Sequence, residues 1–573
     1  MAGSVQLEKT VSQDPGSKSG RLSLGRIAVI AILLAYACLA LFQLGRPDLD
    51  TDEGRYGISA LNILNDYHQI AIVSPEPGGV PWSTWPYMYP MELAGAILAL
   101  GKTEFALRVV NVVLMFLAAL CIYRLTISLL KDRTTALLAS GLFLLNPATV
   151  AYARSAQAEP SVVFWGCAAM LAAAHYWESG RLGYTALSGI GLGLGFLSKL
   201  WLILPFGAAV ALLLLARVRE GKLGRTSLDI SVGLIAFLVV AGSHLVLLRL
   251  WSPENLQIWL GTYFQAAAST RVGGMGYDPN MWYKPWWFYF GALFKGVFFG
   301  LPLVFLGTAE LIRRRCYLVL GCVAWLVGPA FVLSLFRVKE AAYVSQAYPA
   351  LAILMACGVL PFLETAPTVQ VALSALVSMA LAAFFFAVGV VTRTQFVMMM
   401  ALYFVYLAAA PAKLILPRWR KLAAVAAALA TLLLTDAVVV QRHLSRRTHY
   451  REIAAYFRPR IGPLQPGTVM FTSPEFAALG FYLFRQGEYW ETFYFHKDDA
   501  QFQNELEHGD HLFYVVDPSG ALYGGKIKPE WEALLAQNTR DVTSEVEQAS
   551  GTKIGLRVLV PLAQPATINH SQP

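Results

Sequence analysis

Apolar residues along this chain fall into long unbroken runs, and polar residues gather in the short gaps between them. The runs cover roughly 27–45, 105–125, 135–150, 160–177, 182–198, 200–216, 230–250, 290–311, 316–336, 343–363, 369–391, 396–411 and 422–440. Crossing a hydrocarbon core of about 30 Å takes about 17–25 helical residues. The runs are continuous and Leu/Ala-rich rather than alternating, and a lipid-embedded segment must satisfy its own backbone, so they predict helices. About thirteen spans follow. Met91–Leu100 is apolar but short, which fits an interfacial helix or a lead into the next span.

After residue 440 the pattern changes. Likely strands (Gly467–Ser473, His511–Asp517, Lys553–Pro561) alternate with helix-like stretches (Tyr450–Phe457, Pro529–Gln537), which predicts a small α/β domain. The expected fold is therefore an all-α polytopic membrane protein with a small C-terminal α/β domain outside the cytoplasm. Its divisions are a cytoplasmic tail 1–26, a membrane domain 27–440 with a long outer loop 46–104, and a periplasmic domain 441–573. The first apolar run is longer than a signal-peptide core, so an uncleaved anchor is preferred to a cleaved leader.

Composition agrees. Of 573 residues 56% are hydrophobic and 14% charged, with mean hydropathy +0.52, against about 25% charged in soluble domains. The net charge of +9 lies in clusters between apolar runs, which is the positive-inside bias and not a nucleic-acid surface. Lys131 with Arg133, Arg217 to Arg225, Arg313 to Arg315 and Arg418 to Lys421 occupy alternate gaps. This arrangement puts the N-terminus in the cytoplasm and the tail outside. All six cysteines lie in or beside apolar runs, which points to packed free thiols and no disulfide framework.

Candidate chemistry collects in the outer gaps. Asp48-Leu49-Asp50-Thr51-Asp52-Glu53-Gly54-Arg55-Tyr56 places four carboxylates within six residues of an otherwise basic chain. A carboxylate can take the proton of an acceptor hydroxyl when burial or a like neighbour tunes it; a solvated loop is the plain alternative. Glu159, before Pro160 at the mouth of the fourth span, is a second outer acid, and helix capping would also account for it. Lys199, Arg271, Lys284, Arg337 and Lys339 are basic on the side where the charge bias asks for none. Together they could hold phosphate; singly they could snorkel. Lys284-Pro285-Trp286-Trp287-Phe288-Tyr289 reads chiefly as an interfacial belt. Metal spacing is absent, although a divalent ion held by Asp52 or Glu159 is compatible with the sequence. Gly189, Gly191, Gly193 and Gly195 lie within a span and fit close helix packing.

In this order the segments resemble the GT-C glycosyltransferases of the protein O-mannosyltransferase and aminoarabinose transferase superfamily, over roughly residues 25–440. Asp52-Glu53-Gly54-Arg55-Tyr56 is similar to the family's Asp-Glu-x-x-Tyr motif, and Glu104-Phe105-Ala106-Leu107-Arg108 to the entry into its second span. Leu197-Ser198-Lys199 resembles its Thr-Lys-Gly turn, Lys284–Tyr289 its Pro-Trp-Trp-Phe-Tyr segment, and Arg337–Pro349 its Lys-x-x-x-Tyr stretch. The resemblance implies a sugar carried on polyprenyl phosphate and an inverting single displacement outside the cytoplasm. The acceptor would be an envelope lipid, glycan or protein. Asp52 is then the base, with Glu53 and Glu159 beside it. Lys199, Arg271, Arg337 and Lys339 are candidates for the leaving phosphate, and Arg55, Tyr56, Tyr87, Tyr89 and Tyr343 for substrate contact. Aminoarabinose transferases carry Glu-Lys-Pro-Pro late in the first loop, where this chain has Trp85-Pro86-Tyr87-Met88-Tyr89-Pro90; the departure points to another sugar or acceptor. An oligosaccharide ligase with a pyrophosphate donor is an alternative enzyme. A transporter or flippase is the alternative outside enzymes, but its ionisable groups would be expected at mid-membrane.

Overall fold

The computed structural model describes residues 24–65, 67–70, 86–199, 203–218, 223–253, 256–257, 260, 284–314, 316, 318–334, 341–410, 417–461, 469–472, 477–484, 491–493, 511–516, 518 and 529–562. Every apolar run of the sequence falls on a helix. In chain order these are α1 (Leu24–Leu41), α2 (Thr51–Asn65), α3 (Met88–Leu100), α4 (Glu104–Leu130), α5 (Arg133–Leu144), α6 (Pro147–Ala153), α7 (Glu159–Ser179), α8 (Leu182–Ser198), α9 (Leu204–Val218) and α10 (Leu223–Trp251). They continue with α11 (Phe288–Val297), α12 (Leu301–Arg313), α13 (Leu318–Ser334), α14 (Tyr348–Leu360), α15 (Thr368–Ala387), α16 (Arg393–Ala409) and α17 (Pro417–Leu444). Among the described residues six helices are long and apolar enough to cross a membrane by length and composition, or seven if the bent pair α5–α6 is one span. Most of the remaining apolar helices run to 10–17 residues, so the thirteen predicted runs correspond to helices but not all to full-length spans.

The bend between α5 and α6 is 58°, and its cause is local. Asn146 caps α6 by accepting from the Ala148 N–H at 2.9 Å, and Pro147 opens the new helix. The Asn146 amide also donates to the Gly296 carbonyl at 2.8 Å, which pins the bend to α11. Elsewhere the bundle closes on small residues. A β-carbon on Gly189 would lie 2.0 Å from the Gly233 carbonyl oxygen, so α8 and α10 approach backbone to backbone, and Gly307 and Gly358 bring α12 and α14 equally near. The expected packing role of the α8 glycines is met. All six cysteines are free.

The tail contains α18 (Tyr450–Ile461), β1 (Val469–Thr472), α19 (Ala477–Phe484), β2 (Glu491–Phe493), β3 (His511–Val516), α20 (Pro529–Asn538), β4 (Thr539–Asp541), α21 (Thr543–Ser550) and β5 (Arg557–Pro561). Its sheet has the order β2-β1-β3-β5-β4; β1 is parallel to both β2 and β3, while β5 is antiparallel to β3 and β4. All three predicted strands are present. The shorter β2, β4 and the helices α19 and α21 were not read from the sequence.

Two cores result. One fills the membrane bundle. The other joins the outer helices to the tail: Leu49, Tyr56, Leu61 and Tyr89 share it with Ile453, Phe457, Phe481, Tyr482, Phe513 and Val558. The α/β domain is thus packed onto α2, α3 and the segment before α2 as one body of side chains.

Candidate functional site

The acidic segment is shaped by its own backbone first. Asp50 accepts from the Glu53 N–H and Glu53 accepts from the Asp50 N–H, each at 3.0 Å. This reciprocal capping starts α2 with two donors satisfied. It leaves Asp52 in the first turn, part exposed, with its carboxylate 3.8 Å from Arg55. Tyr56, one turn on, is buried, and its ring meets Tyr89 of α3 edge-on at 4.9 Å. Burial raises the Tyr56 phenol well above its ordinary value, and the nearby charges of Glu159 and Asp52 add to the rise. The helix therefore brings Asp52, Tyr56, Tyr89, Glu159 and Tyr343 into one electrostatic neighbourhood.

Glu53 points the other way, into protein. Arg108 from α4 meets both its oxygens at 2.8 Å, and the Ala156 N–H donates to Oε1 at 2.8 Å. The remaining Arg108 donors go to the carbonyls of Leu44, Pro47 and Asp48 at 2.8–3.0 Å. Both side chains are fully buried. Burial alone would raise the Glu53 carboxyl, but the Arg108 guanidinium outweighs it and holds it down at about 2. The ion pair ties α1, α2, α4 and the 154–158 loop together.

Glu159 starts α7, but its carboxylate does not close the helix end. Oε1 lies 2.6 Å from the Lys199 ammonium, and Oε2 is buried without a hydrogen-bond partner. Lys199 sits in extended backbone just after α8, 4.9 Å above the Tyr343 ring. The structure thus brings Lys199 and Tyr343 to Glu159. Arg271, Arg337 and Lys339 lie outside the described residues. Tyr87 turns toward α10, where its hydroxyl lies 2.7 Å from Ser243 Oγ.

Two features escaped the sequence reading. Glu92 of α3 accepts from Ser161 Oγ at 2.9 Å and Trp165 Nε1 at 3.0 Å, beside the 2.8 Å contact between Ser161 and Ser198. Burial raises its carboxyl to about 7, against the lowering of those hydrogen bonds. An acid inside the apolar Met91–Leu100 stretch was the available signal. The second feature is the tail, whose residues 446–451 lie against the acidic segment. Arg446 pairs with Asp50, and Asp48 accepts from the N–H groups of Thr448 and His449 at 3.1 Å. Among the described residues no group of three or more His, Cys, Asp or Glu could hold a metal ion.

Comparison with known proteins places this geometry. Residues 85–264 match the family model for dolichyl-phosphate-mannose-protein mannosyltransferase. The undecaprenyl phosphate-alpha-4-amino-4-deoxy-L-arabinose arabinosyl transferase of Pectobacterium carotovorum is 27% identical over 269 residues, 45% of this chain and 46% of that protein. A second such transferase, from Sodalis glossinidius, is 28% identical over the same shares. The matched stretch thus spans about half the length of these curated relatives. Among solved structures, ArnT from Cupriavidus metallidurans bound to undecaprenyl phosphate superposes with TM-score 0.64 at 15% identity, covering 94% of this chain and 98% of that one. The oligosaccharyltransferase AglB from Archaeoglobus fulgidus gives 0.53 at 14% identity, over 86% of this chain and 69% of that one. The chain is a polytopic helical protein with the GT-C fold, and it resembles the sugar transferases built on that fold.

Proposed function

We propose that this protein is an inverting glycosyltransferase that moves a sugar from a polyprenyl-phosphate donor to an acceptor in the bacterial envelope, at the outer face of the inner membrane. The observation that carries the reading is that Asp52, part exposed at the start of α2, and Glu159, paired with Lys199, both lie close enough to Tyr56 to raise its phenol. Asp52 takes the proton of the acceptor hydroxyl as its oxygen attacks the anomeric carbon. The bond from that carbon to the phosphate oxygen breaks, and its electron pair leaves with the phosphate. Lys199 neutralises the developing charge, a stabilisation that grows toward the transition state. Glu159 holds Lys199 in place until the phosphate arrives.

Glu53, saturated by Arg108, sets the position of α2 and takes no part in proton transfer. Arg55, Tyr56, Tyr89 and Tyr343 line the substrate side, and Tyr87 buttresses α3 against α10. Arg271, Arg337 and Lys339 are further phosphate candidates on the resemblance of their segments. The curated relatives named above act with a 4-amino-4-deoxy-arabinose donor, but Trp85–Pro90 lacks the charged pair expected of that class, so the sugar is taken to differ. The acceptor is a lipid, glycan or protein outside the cytoplasm, and the N-terminus is cytoplasmic by the basic loops. Transport is disfavoured because the densest acidic cluster, Asp48 to Glu53, lies outside the candidate spans, among whose buried acids Asp229, Glu310 and Asp436 are scattered over three helices.

The test uses purified membranes with radiolabelled polyprenyl-phosphate sugars and envelope extract. Label reaching an extract component with wild type and not with Asp52→Asn is the expected result. Transfer at the wild-type rate by a folded Asp52→Asn protein would remove Asp52 as the base.

A further inference from the structure

The tail touches the acidic segment at several residues on both sides of Asp52. Arg446 makes an ion pair with Asp50, the residue that caps α2, and its second nitrogen lies 3.5 Å from Glu53. Asp48, almost wholly buried, accepts from two successive tail N–H groups at 3.1 Å. The Leu49 N–H donates to the Tyr482 hydroxyl at 3.0 Å, across 433 residues of sequence. On the next turns of α2, Gly57 sits so close to Phe481 of α19 that a β-carbon there would come within 2.7 Å of the ring. Tail groups therefore hold both the segment before α2 and the flank of α2 itself.

These contacts constrain Asp52 without touching it. The carboxylate sits two residues beyond Asp50, and Glu53, one residue further, is locked to Arg108. With Asp48, Leu49, Asp50, Glu53 and Gly57 all anchored, little freedom is left for the first turn of α2. A base displaced by about 1 Å can cost about 100-fold in rate, so a fixed first turn has catalytic value.

We propose that the C-terminal α/β domain is a positioning element of the reaction centre, with Arg446 and Tyr482 as the positioning residues that hold the Asp52 turn. This rests on the glycosyltransferase reading above. The membrane bundle holds the donor side through Lys199, and the tail holds the acceptor-side base.

The experiment compares wild type with Arg446→Ala, Arg446→Lys and Tyr482→Phe as full-length protein in detergent. Tyr482→Phe removes only the hydroxyl that accepts from Leu49, so it tests the idea even where loss of Arg446 harms folding. Transfer is measured for kcat and donor KM, and amide exchange is followed over residues 48–57. Expected are a kcat about 10- to 100-fold lower in Arg446→Ala with donor KM within about two-fold. Arg446→Lys should recover part of the loss. Tyr482→Phe should give a smaller kcat fall with faster exchange at Leu49. Wild-type kcat in Arg446→Ala and Tyr482→Phe overturns the proposal, as does a loss carried by donor KM alone. If wild type transfers no sugar, the functional reading falls by itself. Exchange then still decides the hold on α2, with unchanged protection in all variants refuting it.

Discussion

Two acid–base pairs lie near the same end of the bundle and differ in one respect. In the Glu53–Arg108 pair every donor of the guanidinium has an acceptor and both carboxylate oxygens are occupied. In the Glu159–Lys199 pair one carboxylate oxygen is buried without a hydrogen-bond partner, and the lysine keeps some exposure. Both are short and both join distant elements. A saturated pair has no capacity left for a ligand and acts as a rivet. An unsaturated one holds free energy that a ligand can recover, since a buried unmatched oxygen costs about 1–3 kcal/mol. Satisfaction, more than charge or burial, separates these two acids.

The strongest way to break this comparison is at Asp52, the proposed base, which neither pair consumes. Asp52→Asn should lower turnover by about 10²–10⁴-fold, the usual contribution of a general base, with thermal midpoint and donor binding close to wild type. Arg108→Ala should act oppositely, on folding first. It strands Glu53 in the interior, and removing one partner of a buried pair costs about 3–5 kcal/mol; thermal unfolding in detergent reads this directly. A variant as stable as wild type would show that the rivet is dispensable. Lys199→Gln should raise donor KM and lower kcat by about 10-fold or more. Its midpoint should fall less than in Arg108→Ala, because Lys199 lies partly in solvent.

The smallest effect is in the pH dependence of stability. Glu53 lies at about 2 when folded against an ordinary 4.5, so its pairing stabilises fully above pH 4.5 and is lost as pH falls toward 2. Glu53→Gln should flatten that acid slope relative to wild type. An unchanged slope between pH 4.5 and 2 would show that the pair does not govern acid unfolding.

Much of the fold was legible because lipid imposes a simple rule on sequence, and each apolar run became a helix. The three longest tail strands were equally readable from their β-branched and aromatic residues. The short α19, Ala477–Phe484, was not: eight apolar residues match a buried strand as well as a helix. Within the site, Asp52 was legible as one of four carboxylates within six residues of a basic chain, and Lys199 as a basic residue where the positive-inside bias asks for none. The division of labour between Asp52 and its neighbour Glu53 was not, because Arg108 lies 55 residues away and only the fold joins them. One signal was present, an arginine inside an apolar run, which lipid tolerates only with a partner. Arg446 and Tyr482 carried no such mark in a polar tail.

The contact between Asp48 and the tail has a consequence in time. Thr448, whose N–H reaches Asp48, follows it by 400 residues. At about 5–20 residues per second a ribosome needs about 20–80 s to cover that distance. Throughout that interval the segment around Asp48 has left the ribosome while the groups that fasten it have not been made. A nascent chain of this protein therefore passes through membrane insertion with the segment before α2 not yet fastened. On the positioning role proposed for the tail, a chain cut short before residue 446 should be inserted yet inert.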